Sequence, residues 1–343
     1  MSALERSGEC LPTEEAPRGR RAIRKRALLG GALAAALALS TVLALRAVLL
    51  LEGAEPFRRA HRRASLTAAE RKAIVYAQYA DVEWPKLAEP QPGEWLAIFD
   101  EPGQTYAEYV RAARNLKSDR RNTIYLLPFG RMDQTTAAVV KQMAEFTTVF
   151  FGCKVTLLPA VKLPKSAYVH RRAQYDAAEI LNRMARQVPA DALAYVGVTT
   201  EDLYSGRLDF VFGLASLRRR VAVYSLHRYG EPGTPEFLRR SLKIVAHETG
   251  HAFGLRHCIF YRCCMNGSNS LTESDSQPLD YCPLCHDKLR HALAFDPKQR
   301  FERLAAFYDR VGFTQEAQVV RERLAQVASE RPAHDTAPTE EEP

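Results

Sequence analysis

Three histidines and a glutamate between residues 247 and 257 are the first group in this sequence whose types and spacing could do chemistry. His247-Glu248-Thr249-Gly250-His251 sets two imidazoles four residues apart, which on a helix means one face, one turn removed, so both rings can reach a single cation. Gly254 follows three positions later, where glycine can take the positive φ that ends a helix and turns the chain sharply. His257 then returns to the same ion. Three neutral imidazoles leave Zn²⁺ one open position for water, the arrangement of a catalytic site and not of a closed structural one. Zinc would acidify that water and polarise a scissile carbonyl, and Glu248, beside the ligands, has the role of general base in peptide-bond hydrolysis.

A second metal-binding pattern follows at once. Of seven cysteines, Cys10 and Cys153 stand alone, whereas Cys258, Cys263, Cys264, Cys282 and Cys285 fall within 28 positions. Cys258 and Cys263 enclose four residues, Cys282 and Cys285 two, spacings that suit a tetrahedral thiolate zinc that fixes the fold rather than the chemistry. Two disulfides are the other reading, at home in an oxidising compartment. Cys264 competes with Cys263 for one ligand position, and Cys263 has the fitting spacing. Glu273 and Asp275 have the chemistry to support ligating histidines and equally that of surface carboxylates; His286 and His291 read as surface or packing residues.

The elements that must position these groups alternate. Strands are expected at Thr123–Leu127, Lys154–Leu158 and Ala192–Val198, and helices at Asp133–Phe150 and Ala173–Val188. Asp209–Ala215 and Val221–Leu226 read as antiparallel neighbours joined by Ser216–Arg220. The site helix spans Glu236–Gly254, with Pro235 at its start, and Lys298–Val327 is a charged helical stretch. Strands before and between helices give an α/β or α+β sheet domain.

The chain's net charge of +8 belongs mainly to its start, where the first 63 residues carry twelve Lys/Arg against six Asp/Glu. No basic stripe interleaved with aromatics runs through the rest, which weakens a nucleic-acid reading, and no nucleic-acid partner is expected. Arg18, Arg20, Arg21, Arg24, Lys25 and Arg26 precede Ala27–Leu45, nineteen residues without a charge that as a helix would cover about 28 Å, close to a bilayer core. With its continuation to Leu51 this reads as a single-pass membrane anchor, against a cleaved export signal, a twin-arginine signal or a buried Ala/Leu helix. The expected organisation is a basic polar tail at 1–26, a transmembrane anchor at 27–51, a linker at 52–64, a catalytic domain at 65–328 and a disordered acidic tail at 329–343.

His247 to His257, followed by Cys258, Cys263, Met265, Gly267-Ser268-Asn269, Glu273, Asp275, Pro278, Cys282, Cys285 and Lys288-Leu289, resembles the archaemetzincin family of zinc metallopeptidases. Upstream, Thr123-Ile124-Tyr125, Asp202-Leu203-Tyr204, Phe210 to Ala215 and Arg240 to Lys243 extend the resemblance over roughly residues 65 to 325. The resemblance implies a metzincin-like α+β domain. Its upper subdomain, about 65–254, would hold a twisted mixed sheet and the active-site helix; a lower one, about 255–328, would hold the Met-turn and a four-cysteine zinc. Met265, by type alone a core methionine, would be the Met-turn residue, and two zinc ions would be bound per chain. Phe212, Gly213, Leu214 and Ala215 would form an edge strand able to pair with an extended peptide. Peptide or protein is then the expected substrate, with a catalytically silent zinc-stabilised scaffold and a zinc amidase as the rival functions. Nothing in the sequence speaks to oligomeric state.

Overall fold

The computed structural model describes residues 66–329. Three short helices come first, α1 (Ala68–Gln78), α2 (Trp95–Ile98) and α3 (Tyr106–Ala112). Both α1 and α3 begin on capping boxes, Thr67 with Glu70 and Thr105 with Glu108, in which hydroxyl and carboxylate satisfy each other's orphan amides. The central region runs β1 (Thr123–Phe129), α4 (Gln134–Phe151), β2 (Lys154–Leu157), β3 (Tyr168–Val169), β4 (Gln174–Asp176), α5 (Ala177–Ala185), β5 (Ala192–Thr199), β6 (Leu203–Tyr204), β7 (Gly213–Ala215) and β8 (Val221–Ser225). Helix α6 (Pro235–Ala252) follows, then α7 (Leu271–Ser276), α8 (Pro283–Leu293), α9 (Pro297–Arg310) and α10 (Thr314–Ser329).

Five strands form a mixed sheet in the order β2-β1-β5-β8-β7. The first four are parallel, and β7 runs antiparallel at the edge. Side-chain alternation divides the apolar residues between two cores. Ile124, Leu126, Val196, Val198, Ala222 and Tyr224 point to the side packed by α4 and α6. Phe129, Tyr195, Val221 and Val223 point to the side packed by α5. β5 is buried throughout, as a strand covered on both faces must be. A small sheet, β3-β4-β6, lies apart from it.

Several boundaries differ from the sequence reading. The strand expected over Asp209–Ala215 contracts to Gly213–Ala215, because the Leu208 and Asp209 carbonyls turn aside to accept from Arg172 and Gln174. Phe212 precedes the strand, although its carbonyl still accepts from the Ser225 amide at 2.8 Å. The helix expected from Ala173 starts at Ala177: Gln174–Asp176 pairs as β4, and the Asp176 carboxylate caps the Ala178 and Glu179 amides. Lys298–Val327 is two helices, broken where Gly312 takes φ +81°. The expected tail at 1–26, anchor at 27–51 and linker at 52–64 lie outside the described residues, as does the acidic tail beyond Ser329. Among the described residues, no helix is long and apolar enough to cross a membrane.

The helices after the site are tied together by a buried ion triad. Asp280 accepts from Arg300 at 3.1 Å and from Arg323 at 2.7 Å, and all three side chains are buried. Burial alone would raise the Asp280 carboxyl, but the two guanidinium groups overcome it and hold it at about 2. Asp280→Asn should therefore cost about 3–5 kcal/mol, since it leaves buried cationic charge uncompensated; a lower denaturant midpoint at unchanged slope is the readout. A depressed carboxylate stabilises above its unfolded value, so the advantage of the parent over this variant should fade as pH falls from about 4 toward about 2.

Candidate metal centre and cleft

Helix α6 starts on Thr234, whose hydroxyl accepts from the Phe237 amide, and on Pro235, whose ring pre-sets the first helical φ. It stops in a Schellman motif: Gly254 takes φ +87°, its amide donates to the His251 carbonyl at 2.8 Å, and the Leu255 amide donates to the Gly250 carbonyl at 3.2 Å. This bend carries the Leu255 carbonyl back over the helix end, where His251 Nδ1 donates to it at 2.6 Å. It also delivers His257, whose ring centre lies 5.2 Å from that of His247 and 4.9 Å from that of His251.

The tautomers follow from these contacts. His247 Nδ1 lies 2.8 Å from the Cys264 carbonyl and His251 Nδ1 lies against the Leu255 carbonyl. A carbonyl can only accept, so both Nδ1 atoms carry hydrogen and each neutral ring presents its lone pair at Nε2. Burial, then the other histidines, drives His247 well below its ordinary pKa and His251 to about 3. Two unprotonated Nε2 atoms consequently face each other at 3.1 Å. That arrangement is repulsive unless a cation lies between them, and one nitrogen from each of the three rings falls within 4.8 Å of the others. The donor set and its hydrogen-bonded backing fit zinc.

Glu248 stands on the same helix, 5% exposed, and burial lifts its carboxyl to about 8. It lies against edge strand β7. A Cβ at Gly213 would sit 2.4 Å from Glu248 Oε1, so only glycine lets the strand pass this close. On the helix's other side a Cβ at Gly250 would meet the Tyr281 hydroxyl at 2.3 Å and Met265 Sδ at 2.7 Å. Met265 is fully buried there, and the Tyr281 hydroxyl donates to the Ala246 carbonyl at 2.7 Å. The three histidines and Glu248 open into a cleft of about 720 Å³ whose walls include Phe212, Gly213, Leu214 and Ala215.

Cys258, Cys263, Cys282 and Cys285 also converge, with one sulfur from each within 4.8 Å of the rest. All four are buried and free, and the Sγ atoms of Cys258 and Cys282 stand 3.7 Å apart, so they are not disulfide-bonded. Backbone amides of Met265 and Cys282 donate to Cys263 Sγ at 3.4 and 3.2 Å, while burial and the neighbouring sulfurs push its thiol well above the ordinary range. Cys264 is turned away toward the Lys243 carbonyl, and burial pushes its thiol up to about 12.

The carboxylates singled out downstream do not back a ligand. Glu273 accepts from the amides of Trp95 and Asn269, at 2.9 and 2.6 Å, and Asp275 pairs with Arg240. His286 is a buried packing residue stacked on Phe301, and His291 sits edge-on to Tyr106 and Tyr109. The carboxylate that does meet one of the three histidines is Glu101, whose Oε1 lies 2.7 Å from His257 Nδ1. Trp95 stands beside it. No sequence signal marks either residue, since the contact spans 156 positions.

Histidines converging at the end of a helix under a mixed sheet, with a glutamate over the cleft and an antiparallel edge strand above it, define the site of a zinc metallopeptidase. The sequence model of peptidase family M54 matches residues 130–291, a stretch that holds both ligand clusters but neither Trp95 nor Glu101. Archaemetzincin-2 of Homo sapiens is 30% identical over 261 residues, covering 64% of this chain and 72% of that protein. Archaemetzincin of Thermococcus kodakarensis is 38% identical over 180 residues, covering 48% and 94%. The crystal structure of archaemetzincin from Methanopyrus kandleri, 32% identical, covers 51% of this chain and 96% of its own with a TM-score of 0.46. The chain belongs to the archaemetzincin family.

The contact between Gly213 and Glu248 is open to direct test. Gly213→Ala should destabilise the fold by about 1–3 kcal/mol through overpacking, measured by chemical denaturation; unchanged stability would mean that Glu248 moves aside freely.

Proposed function

We propose that the chain hydrolyses peptide bonds at the three-histidine site, with Glu248 as general base, and that the four-cysteine cluster holds a second, structural zinc. The observation that carries this reading is the facing pair of Nε2 lone pairs at 3.1 Å, each ring backed at Nδ1. His247, His251 and His257 would hold a zinc ion that supplies an acidified water and a Lewis acid for the scissile carbonyl. Cys258, Cys263, Cys282 and Cys285 would hold the other.

An extended peptide fits the free edge of β7. The Phe212 carbonyl and the Ser216 amide are spent on β8, and in an antiparallel ladder the bonded positions alternate. The amides and carbonyls of Gly213 and Ala215 are thereby left to face the cleft, where they can pair with substrate main chain. Glu248 takes a proton from the attacking water and delivers it to the leaving amine. A single-pass tether through residues 27–51 is part of the same reading, supported by the uncharged run behind a basic block. Resistance of the full chain to alkaline extraction from membranes is its test, and ready extraction would remove the tether from the proposal.

Incubation of the purified chain with a diverse peptide library should yield cleavage products that vanish with chelator and return with zinc. Glu248→Gln is expected to keep both metals while kcat falls by about 10²–10⁴-fold, whereas His251→Ala should lose one metal and all turnover. Full activity in Glu248→Gln would refute the base assignment. Chelator should strip the two sites in order, because the histidines border the cleft and the cysteines are buried. Activity should go first with one equivalent of zinc, and the fold should loosen only when the second leaves, as followed by circular dichroism.

A further inference from the structure

We propose that Trp95 and Glu101 form a positioning clip that holds His257 in its ligating orientation and strengthens it as a donor, an inference that rests on the three-histidine metal site. The other two rings are oriented by main-chain carbonyls, one on the bend that ends their own helix and one on the cysteine loop. His257 sits beyond that bend, on irregular chain with no helical turn beneath it. Its Nδ1 is instead 2.7 Å from Glu101 Oε1, and the same oxygen accepts from Trp95 Nε1 at 2.7 Å. The indole stands edge-on to the imidazole, 5.3 Å between centres at 84°. One carboxylate oxygen and one aromatic edge thus fix both the direction and the tilt of the ring.

The clip is itself anchored from the far side. Glu273 accepts from the Trp95 amide through one oxygen and from the Asn269 amide through the other, and Asn269 Nδ2 donates to the Gly93 carbonyl at 3.1 Å. Gly267 has no side chain where one would collide: a Cβ there would stand 2.3 Å from Trp95 Cδ1. Beyond Glu101, Gln104 reaches the bend directly, accepting from the Arg256 amide at 3.3 Å and donating to the Gly254 carbonyl at 3.4 Å. The segment from Gly93 to Gln104 therefore holds the turn that carries His257 at two points, through Glu101 and through Gln104. A carboxylate on Nδ1–H also makes Nε2 more electron-rich than a carbonyl would, which tightens metal binding.

The test is zinc affinity in the full chain, measured by competition with a chromogenic chelator, with cobalt substitution to separate the histidine site from the thiolate site by its charge-transfer bands. Glu101→Ala is expected to weaken the histidine site by about 10–100-fold and to leave the thiolate bands unchanged. Glu101→Gln, whose neutral oxygen can still accept, should lose less. Trp95→Phe, which removes the indole N–H that Glu101 accepts from, and Gly267→Ala, which displaces the indole, should weaken the same site. Excess free zinc should restore turnover in all four. Parent-like affinity in Glu101→Ala would overturn the clip and leave the three-histidine site standing; a parent chain with no metal at the histidines would overturn both. Loss of the thiolate metal together with the first would make Glu101 a general folding residue and end the proposal.

Discussion

Nitrogen lone pairs aimed at one point are the constraint around which this structure is arranged. Left to themselves, His247 and His251 would rotate apart, because two unprotonated Nε2 atoms at 3.1 Å repel. Rotation is blocked at the opposite corner of each ring, where Nδ1 is held by the Cys264 carbonyl in one case and the Leu255 carbonyl in the other. Each carbonyl has to be put in place by something else. Gly254, at φ +87°, directs the Leu255 carbonyl. The Cys264 carbonyl depends on the cysteine loop, whose turn is closed by Cys258 N on the Met265 carbonyl and by Asn266 on Cys263 N, Cys258 and Tyr261. The cysteine cluster thereby acts on the histidines through one carbonyl, a physical link between the two clusters.

Helix α6 is gripped at two positions where a side chain is missing. Gly213 lets β7 reach Glu248, and Gly250 lets Met265 and the Tyr281 hydroxyl reach the helix backbone. Glycine inside a helix costs roughly 1 kcal/mol relative to alanine, so Gly250 carries a local penalty that the close packing offsets. Lys243, one turn before His247, adds a third grip. Its ammonium is buried and donates to the Gln277 carbonyl at 2.7 Å and to that of Ser274, and burial lowers its pKa to about 7. The helix is therefore fastened by strand, loop and lysine.

Which parts were legible in the sequence follows from the range of the interactions involved. The i, i+4 histidines, Gly254 and the two cysteine pairs obey local spacing rules, and the structure brings those ligand atoms together. Strands β1, β5 and β8 were legible because burial on both faces leaves continuous apolar runs. Ends of elements were not: β4 replaces the first turn of an expected helix since Asp176 caps better than Ala173 starts, and Gly312 divides what periodicity alone joins. Glu273 and Asp275 had suitable chemistry in the wrong place, while Glu101 had no pattern around it at all. Contacts between distant segments are decided by how whole elements pack, and no periodicity encodes them.

That last gap has a physical reason specific to the third ligand. A histidine on a helix inherits its direction from the backbone, so spacing suffices to predict that it can share an ion with a partner one turn away. A histidine past the helix end inherits nothing of the kind, and its ring must be oriented by whatever packs against it. In this chain the packing comes from residues 93–104, themselves pinned by Glu273, by Gln104 on the bend and by the Lys288 ammonium on the Gln104 carbonyl. The part of the site least visible in the sequence is for this reason the part most dependent on the whole fold being assembled.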